Sequence, residues 1–113
     1  MDCIFCRIAD GSLPANIVYE DEDVVAFRDI NPVAPVHMLV IPRKHIASVN
    51  ALEEQDALLA GKLLLTARRL AAEQGFAENG FRLVMNTNQD AGQTVFHMHL
   101  HVLAGRYLAW PPG

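Results

Sequence analysis

The chain has 113 residues, of which 51% are hydrophobic and 19% are charged, and its formal net charge is −4. This length and composition are typical of one globular domain, which we expect to cover residues 1–113, and they exclude a disordered protein. The acidic charge, the lack of a basic run and the lack of a long apolar stretch argue against nucleic-acid and membrane partners. Two cysteines without a signal-peptide pattern indicate a reducing compartment, by default the cytoplasm.

The first part of the chain predicts a short helix followed by three strands. The helix covers residues 3–9 and is ended by Gly11 and Pro14. Strands are predicted at 17–20 and 24–28, and the acidic turn between them indicates a hairpin. A loop held extended by two prolines then leads to a third strand at 37–41.

The second part predicts one long helix and two more strands. Asn50 resembles a helix N-cap, and the leucine-rich stripe after it extends to about residue 74, with Gly75 as the stop. Strands are predicted at 81–86 and 94–103. The fold class is therefore α+β, with a mostly antiparallel five-stranded sheet, one long helix and a short N-terminal helix.

The last predicted strand carries a histidine at every second position: His97, His99 and His101. The residues between them are apolar. Because side chains alternate between the two faces of a strand, the three imidazoles should share one face, with alternate residues about 6.5–7 Å apart. Imidazole can be a base, a nucleophile or a metal ligand. The row is therefore a metal site, a site where one ring attacks phosphorus, or a polar solvent-facing strand.

The segment before this strand favours the phosphate interpretation. Gly92, Gln93 and Thr94 follow a short polar loop. A glycine-containing loop exposes backbone N–H groups, and a threonine hydroxyl can donate to an anion. The pattern is weak alone, because it also suits an ordinary turn.

Residues 97–103 (HMHLHVL) fit the pattern of the histidine triad (HIT) family, and the chain resembles its histidine triad nucleotide-binding (Hint) branch. Residues 27–32 (FRDINP) resemble the ribose-binding loop of that family. Residues 35–42 resemble its strand with a fourth histidine, and 110–113 (WPPG) resemble the tail of the branch. The resemblance implies a single HIT domain, a homodimer with sheets joined side by side, and no organic cofactor. It also implies hydrolysis of purine nucleoside 5′-phosphoramidates through a nucleotidyl-histidine, releasing AMP or GMP.

The resemblance further assigns roles to individual residues. His99 would be the nucleophile, His101 would donate to phosphate oxygens, and His37 would belong to a proton relay with His97. The attacking nitrogen must be unprotonated, so we expect a backbone carbonyl to hold the other ring nitrogen of His99. Contacts to phosphate and ribose are expected from Asp29, Asn86, Gly92, Gln93 and Thr94. The purine slot would comprise Phe5, Ile8, Leu13, Phe27 and Ile30, and Trp110 would shape substrate choice near the partner's active site.

Cys3 and Cys6 form a Cys-x-x-Cys pair, which alone is half a zinc site or a redox pair. The chain resembles bacterial members of the family in which two such cysteines and two histidines hold zinc. That resemblance makes Cys3, Cys6, His45 and His97 the candidate ligands of a structural zinc. Two free thiols in a helix are the alternative. A zinc-bound His97 could not relay protons to His37 and would instead anchor the segment that carries His99.

Other functions stay open at this point. A dinucleoside polyphosphate hydrolase is the neighbouring enzyme class, and a nucleotide-binding or scaffold protein with incidental catalysis is the non-enzymatic alternative. A metalloenzyme could use the triad as ligands. The leaving group, and the preference for adenine or guanine, are not encoded in any motif.

Overall fold

The structure, a computed structural model, describes residues 3–113. Its helices and strands are α1 (Ile4–Ala9), β1 (Ile17–Glu20), β2 (Val24–Arg28), β3 (Val36–Pro42), α2 (Ala57–Gln74), β4 (Arg82–Val84) and β5 (Leu100–Ala104). The strands form one sheet in the order β1-β2-β3-β5-β4, with every neighbouring pair antiparallel. The α+β class, the five-stranded sheet and the two helices are therefore confirmed. Within residues 3–113, neither helix has the length and apolar character needed to cross a bilayer.

The two faces of the sheet carry two separate apolar layers. The layer under α2 includes Val24, Ala26, Met38, Val40 and Val102 from the sheet, with Leu63, Ala67 and Leu70 from the helix. The opposite layer joins Val25, Phe27, Leu39 and Ile41 to Phe5 of α1. Met98 and Leu100, which alternate with the histidines, belong to the α2 layer. The imidazole of His101 therefore lies on the α1 side of the sheet, as the alternation predicts.

The long helix begins later than the sequence predicts. The Ser48 hydroxyl accepts a hydrogen bond from the Asn50 N–H at 3.2 Å and caps a 3-10 turn instead. A second 3-10 turn follows, closed by the Asp56 carboxylate, and α2 starts only at Ala57. The assignment of Asn50 as the helix N-cap was wrong because a preceding hydroxyl competes for its backbone.

The predicted histidine strand is also shorter than expected. β5 begins at Leu100, so His97 and His99 precede the hydrogen-bonded ladder. The Met98 N–H donates to the Ile46 carbonyl at 2.6 Å instead of to a neighbouring strand. This contact with the segment after β3 redirects the chain, and the three histidines do not occupy equivalent strand positions. The strand predicted at 81–86 is likewise confined to β4.

Candidate active site and metal cluster

A cleft of about 450 Å³ opens on the α1 side of the sheet, a volume within the range of small-ligand pockets. Its apolar wall includes all five residues predicted for the purine slot: Phe5, Ile8, Leu13, Phe27 and Ile30. Its polar lining includes Asp29, Thr94, His99 and His101. One apolar slot and one polar end therefore lie side by side.

Four other predicted nucleotide contacts do not line this cleft. The Gly92 N–H donates to the Gln89 carbonyl at 3.0 Å, and the Gln93 N–H donates to the Asn88 carbonyl at 3.1 Å. The Gln93 side-chain amide donates to the Ala47 carbonyl at 2.8 Å. The two backbone N–H groups thus bond within their own loop and the Gln93 side chain bonds to the segment after β3, so the donors expected to contact phosphate are already engaged. Asn86 and Trp110 also lie outside the cleft lining.

His99 has one ring nitrogen tied to the backbone and one left open. Its Nδ1 lies 2.8 Å from the carbonyl oxygen of His97. Because a carbonyl only accepts, Nδ1 carries the ring proton and Nε2 carries the lone pair. Among residues 3–113, no hydrogen-bond partner is found for Nε2, and the ring lines the cleft. Phe5 contacts this ring edge-on, with 5.1 Å between centroids. This is the tautomer that a nucleophilic imidazole needs, and the carbonyl partner matches the expectation.

His101 is linked to His37 rather than standing alone. His37 Nε2 lies 2.9 Å from His101 Nδ1, while the Val33 N–H donates to His37 Nδ1 at 3.1 Å. The Asp29 Oδ2 atom lies 3.4 Å from His37 Nε2. Burial lowers the pKa of His101 to about 4, and the neighbouring His99 and His37 rings act in the same direction. The Asp29 carboxylate raises this pKa, but by less. Burial also lowers the pKa of His37, so both rings are neutral at pH 7.

Cys3, Cys6, His45 and His97 meet in one cluster at the start of α1. His97 Nδ1 lies 3.4 Å from Cys3 Sγ, 3.5 Å from Cys6 Sγ and 3.2 Å from His45 Nδ1. His45 Nδ1 lies 3.3 Å from Cys6 Sγ. A tetrahedral zinc ion separates two nitrogen ligands by about 3.4 Å and a nitrogen from a sulfur by about 3.6 Å. The spacing of these four side chains therefore fits a tetrahedral metal.

The orientation of His97 also fits metal binding. Its Nε2 lies 2.7 Å from the Pro42 carbonyl and must donate to it. The lone pair is then on Nδ1, which faces the two thiols and His45. A backbone carbonyl behind a ligating imidazole is the usual outer contact of such sites. His97 thus joins the cluster, and His37 contacts His101 instead of the predicted relay partner.

Asp29, His37 and His101 form a second group close enough to hold a metal. A backbone hydrogen bond to His37 argues against a metal ion in this group. The Val33 N–H occupies the lone pair of His37 Nδ1, so His37 Nε2 carries a proton and is a donor, not a ligand. The second group, which also has only three members and no thiol, is therefore a hydrogen-bond chain.

α1 connects the cluster of Cys3, Cys6, His45 and His97 to the cleft. Cys3 is its N-cap, with the Cys6 N–H donating to Cys3 Sγ at 3.3 Å. The same helix contributes Phe5 and Ile8 to the apolar wall. At its other end, the Arg43 guanidinium donates to the Ala9 carbonyl. A ligand held by Cys3 and Cys6 would therefore fix one wall of the cleft.

Comparison with known proteins finds a matching family and related chains. A model of the HIT domain matches residues 10–108. An uncharacterized HIT-like protein of Synechococcus elongatus is 54% identical over 113 residues, covering 99% of this chain and 97% of its own. A second, from Synechocystis, is 50% identical over 112 residues with the same coverage.

Solved structures agree with this result. The crystal structure of a HIT family hydrolase from Legionella pneumophila superposes with a TM-score of 0.97 at 50% identity, covering 99% of this chain and 100% of its own. A histidine triad protein from Clostridium difficile gives a TM-score of 0.94 at 45% identity, covering 96% and 95%. The likeness therefore spans nearly the whole chain.

Proposed function

The chain belongs to the HIT domain family, and from this premise we propose that it hydrolyses purine nucleoside 5′-phosphoramidates, in the manner of the Hint branch. Solved relatives carry the name hydrolase, which supports hydrolysis in general. The observation that carries the proposal is the free Nε2 of His99, which lines the cleft where the apolar wall meets the polar residues. The whole chain, residues 1–113, would act as one HIT domain.

The reaction would proceed in two displacements at the α-phosphorus. His99 Nε2 forms a bond to phosphorus while the P–N bond breaks, and the leaving nitrogen departs with the electron pair of that bond and takes up one proton from solvent. Water then forms a P–O bond, the His99–phosphorus bond breaks, and one proton of that water passes to solvent. AMP or GMP is released and the imidazole lone pair is restored. Covalent catalysis replaces one difficult displacement by two easier ones.

The remaining polar residues of the cleft would stabilise and orient the substrate. His101 lines the cleft and retains one free ring nitrogen, which would donate to a non-bridging phosphate oxygen as negative charge develops there. The Thr94 hydroxyl would contact the phosphate or the leaving group. Asp29 would accept the ribose hydroxyls; its Oδ1 already accepts the Asn31 N–H at 2.8 Å, which orients the carboxylate.

We also propose that Cys3, Cys6, His45 and His97 hold a structural zinc ion. When bound, zinc would supply a cross-link between α1 and the segment before β5, with no part in the displacements. The His97 carbonyl that orients His99 lies in the same segment, so the metal would steady the nucleophile. Cys3 and Cys6 are free thiols, and a cytoplasmic location would keep them reduced.

A second copy of this chain is the partner we propose, in a homodimer. β4 is one of the two edge strands of the sheet of residues 3–113, so its side away from β5 is unpaired within this chain and could pair with a second copy. On α2, the apolar side chains of Leu64 and Leu65 are 53% and 60% exposed. The space beside Gly61 is also open, since a Cβ added there would meet no atom within 4 Å. A second chain could therefore pack against this part of α2. Sedimentation should give twice the 12.5 kDa mass of one chain. A concentration-independent monomer would contradict the dimer.

The activity is tested with adenosine 5′-phosphoramidates of a fluorogenic amine. Replacing His99 by Asn should reduce kcat by a factor on the order of 10³ or more, because the covalent step is lost. Gln89→Asn, in the exposed loop before Thr94, is the matched control and should retain the parent rate. Unchanged melting temperature and AMP binding would show that the His99 variant is folded.

The same assay separates the alternatives. Equal rates for the parent and His99→Asn would contradict the mechanism. A larger kcat/KM for a dinucleoside polyphosphate would favour the neighbouring class of hydrolase. AMP binding without turnover of either substrate would favour a binding protein.

A further inference from the structure

His37 is buried, with 6% of its surface exposed, and both of its ring nitrogens are engaged. The Val33 N–H donates to Nδ1 at 3.1 Å. An amide N–H cannot accept a hydrogen bond, so Nδ1 must present a lone pair. The single ring proton of neutral His37 is therefore on Nε2.

This proton determines the tautomer of the next ring. His37 Nε2 lies 2.9 Å from His101 Nδ1 and donates to it. Nδ1 of His101 must then be the unprotonated nitrogen, and its ring proton is on Nε2. Because His101 lines the cleft, the chain Val33–His37–His101 ends in one fixed N–H donor at the polar end of the site.

We propose that His37 is a positioning residue that locks His101 as a neutral Nε2–H donor, and that it keeps its own ring proton and transfers none during the reaction. The inference rests on the proposed function, since the donor is useful only to a phosphate-bearing substrate. An added proton on His37 Nδ1 would face the Val33 N–H, and one on His101 Nδ1 would face the His37 N–H. A relay through this pair would therefore place two donors against each other at one contact.

The loop that supplies the Val33 N–H is held from several sides. The Arg106 guanidinium donates to the Val33 carbonyl at 3.0 Å, and the Asp29 N–H donates to the His37 carbonyl at 3.0 Å. Pro32 and Pro35 restrict the backbone on either side of Val33. The donor thus has little freedom to turn away from His37.

The charged and titratable groups around the pair act in opposite directions. The Asp29 carboxylate, 3.4 Å from His37 Nε2, favours a protonated ring. The His99 ring, with its centroid 5.0 Å from that of His101, disfavours it. Burial decides the balance, since the pKa of both His37 and His101 is lowered from its usual value.

Two substitutions distinguish positioning from proton transfer. In His37→Gln, the amide oxygen can accept from the Val33 N–H and the amide nitrogen can donate to His101, but the group cannot titrate. His37→Leu has comparable bulk and neither hydrogen bond. We expect a kcat loss of less than about 10-fold for Gln and on the order of 100-fold for Leu, with the parent pH profile kept in the Gln variant. Equal losses for Gln and Leu would overturn the proposal.

A measurement without substrate keeps this test independent of the enzymatic activity. Two-bond ¹H–¹⁵N correlations of the parent protein report the tautomer of each imidazole. His101 should be a neutral Nε2–H ring from pH 7 to pH 5. An Nδ1–H tautomer or an imidazolium at pH 6 would overturn the proposal even in an active enzyme. If His101 has the expected tautomer but the protein has no phosphoramidase activity, the proposed function is refuted. The inference that His37 sets the tautomer of His101 would still stand.

Discussion

Removal of the proposed zinc ion should lower the stability of the protein by an amount that can be estimated. The nitrogen and sulfur atoms of the cluster are already spaced for a tetrahedral ion, so binding requires little rearrangement. An ion that binds only the folded state stabilises it by about 4 kcal/mol at a free concentration of 1,000 times its Kd. With an unfolding entropy of about 2.1 cal/mol/K per residue, 1 kcal/mol corresponds to roughly 4 °C for 113 residues. The melting temperature should therefore fall by about 15 °C.

Scanning calorimetry combined with zinc quantification provides the assay. The protein is purified without added metal, treated with a chelator and then reloaded with zinc. The reloaded sample should recover one zinc per chain and the higher melting temperature. Cys3→Ser/Cys6→Ser is the control and should show no response to zinc. A parent protein that lacks stoichiometric zinc, or melts at the same temperature with and without it, would refute the reasoning.

Three further predictions concern the ribose contact in the cleft, the pH dependence of stability and the C-terminal tail. Asp29→Asn should reduce discrimination between ribose and 2′-deoxyribose substrates by a factor on the order of 10, measured as a ratio of kcat/KM; unchanged discrimination would contradict the ribose contact. The lowered pKa values of His37 and His101, the latter about 4, mean that the folded state binds fewer protons than the unfolded chain. The urea concentration at the midpoint of unfolding should therefore fall as the pH decreases from about 6.5 to about 4. The fall should be less steep in His101→Gln, which lacks one of the two titrating rings. A midpoint that does not change with pH would contradict this prediction. Trp110 is 77% exposed, so deleting residues 110–113 should change the melting temperature by less than about 2 °C while altering the preference among leaving amines. A large loss of stability with unchanged preference would contradict the proposed role of the tail.

Local patterns were sufficient to predict most of the fold. The hairpin of β1 and β2 follows from two short strands around an acidic turn, and both strands have the predicted bounds. Gly75 ends α2 with a φ of 86°, which glycine adopts without the penalty other residues incur. The apolar residues between the histidines predicted which face of β5 meets the core. Each of these features depends on residues close together in the chain.

Features set by distant contacts could not be predicted. β5 starts late because the Met98 N–H bonds to Ile46, which lies more than fifty residues earlier. The pairing of His37 with His101 depends on the register of β3 against β5. The Val33 N–H that sets both tautomers belongs to a loop whose sequence gave no indication of that contact. The resemblance predicted the apolar wall and four polar residues of the cleft, whereas Asn86, Gly92, Gln93 and Trp110 lie outside its lining. The tautomers of the histidines depend on hydrogen bonds between distant segments, which no local pattern encodes.

The central claim is that His99 becomes covalently attached to the nucleotide. Rapid acid-free quenching of the parent enzyme during turnover, followed by peptide mass spectrometry, tests it most directly. We expect one nucleoside monophosphate on the peptide that contains His99, localised to its imidazole, and none in His99→Asn. A nucleotide found on His101 or His97, or steady turnover without any adduct under conditions that trap phosphohistidine, would contradict the account.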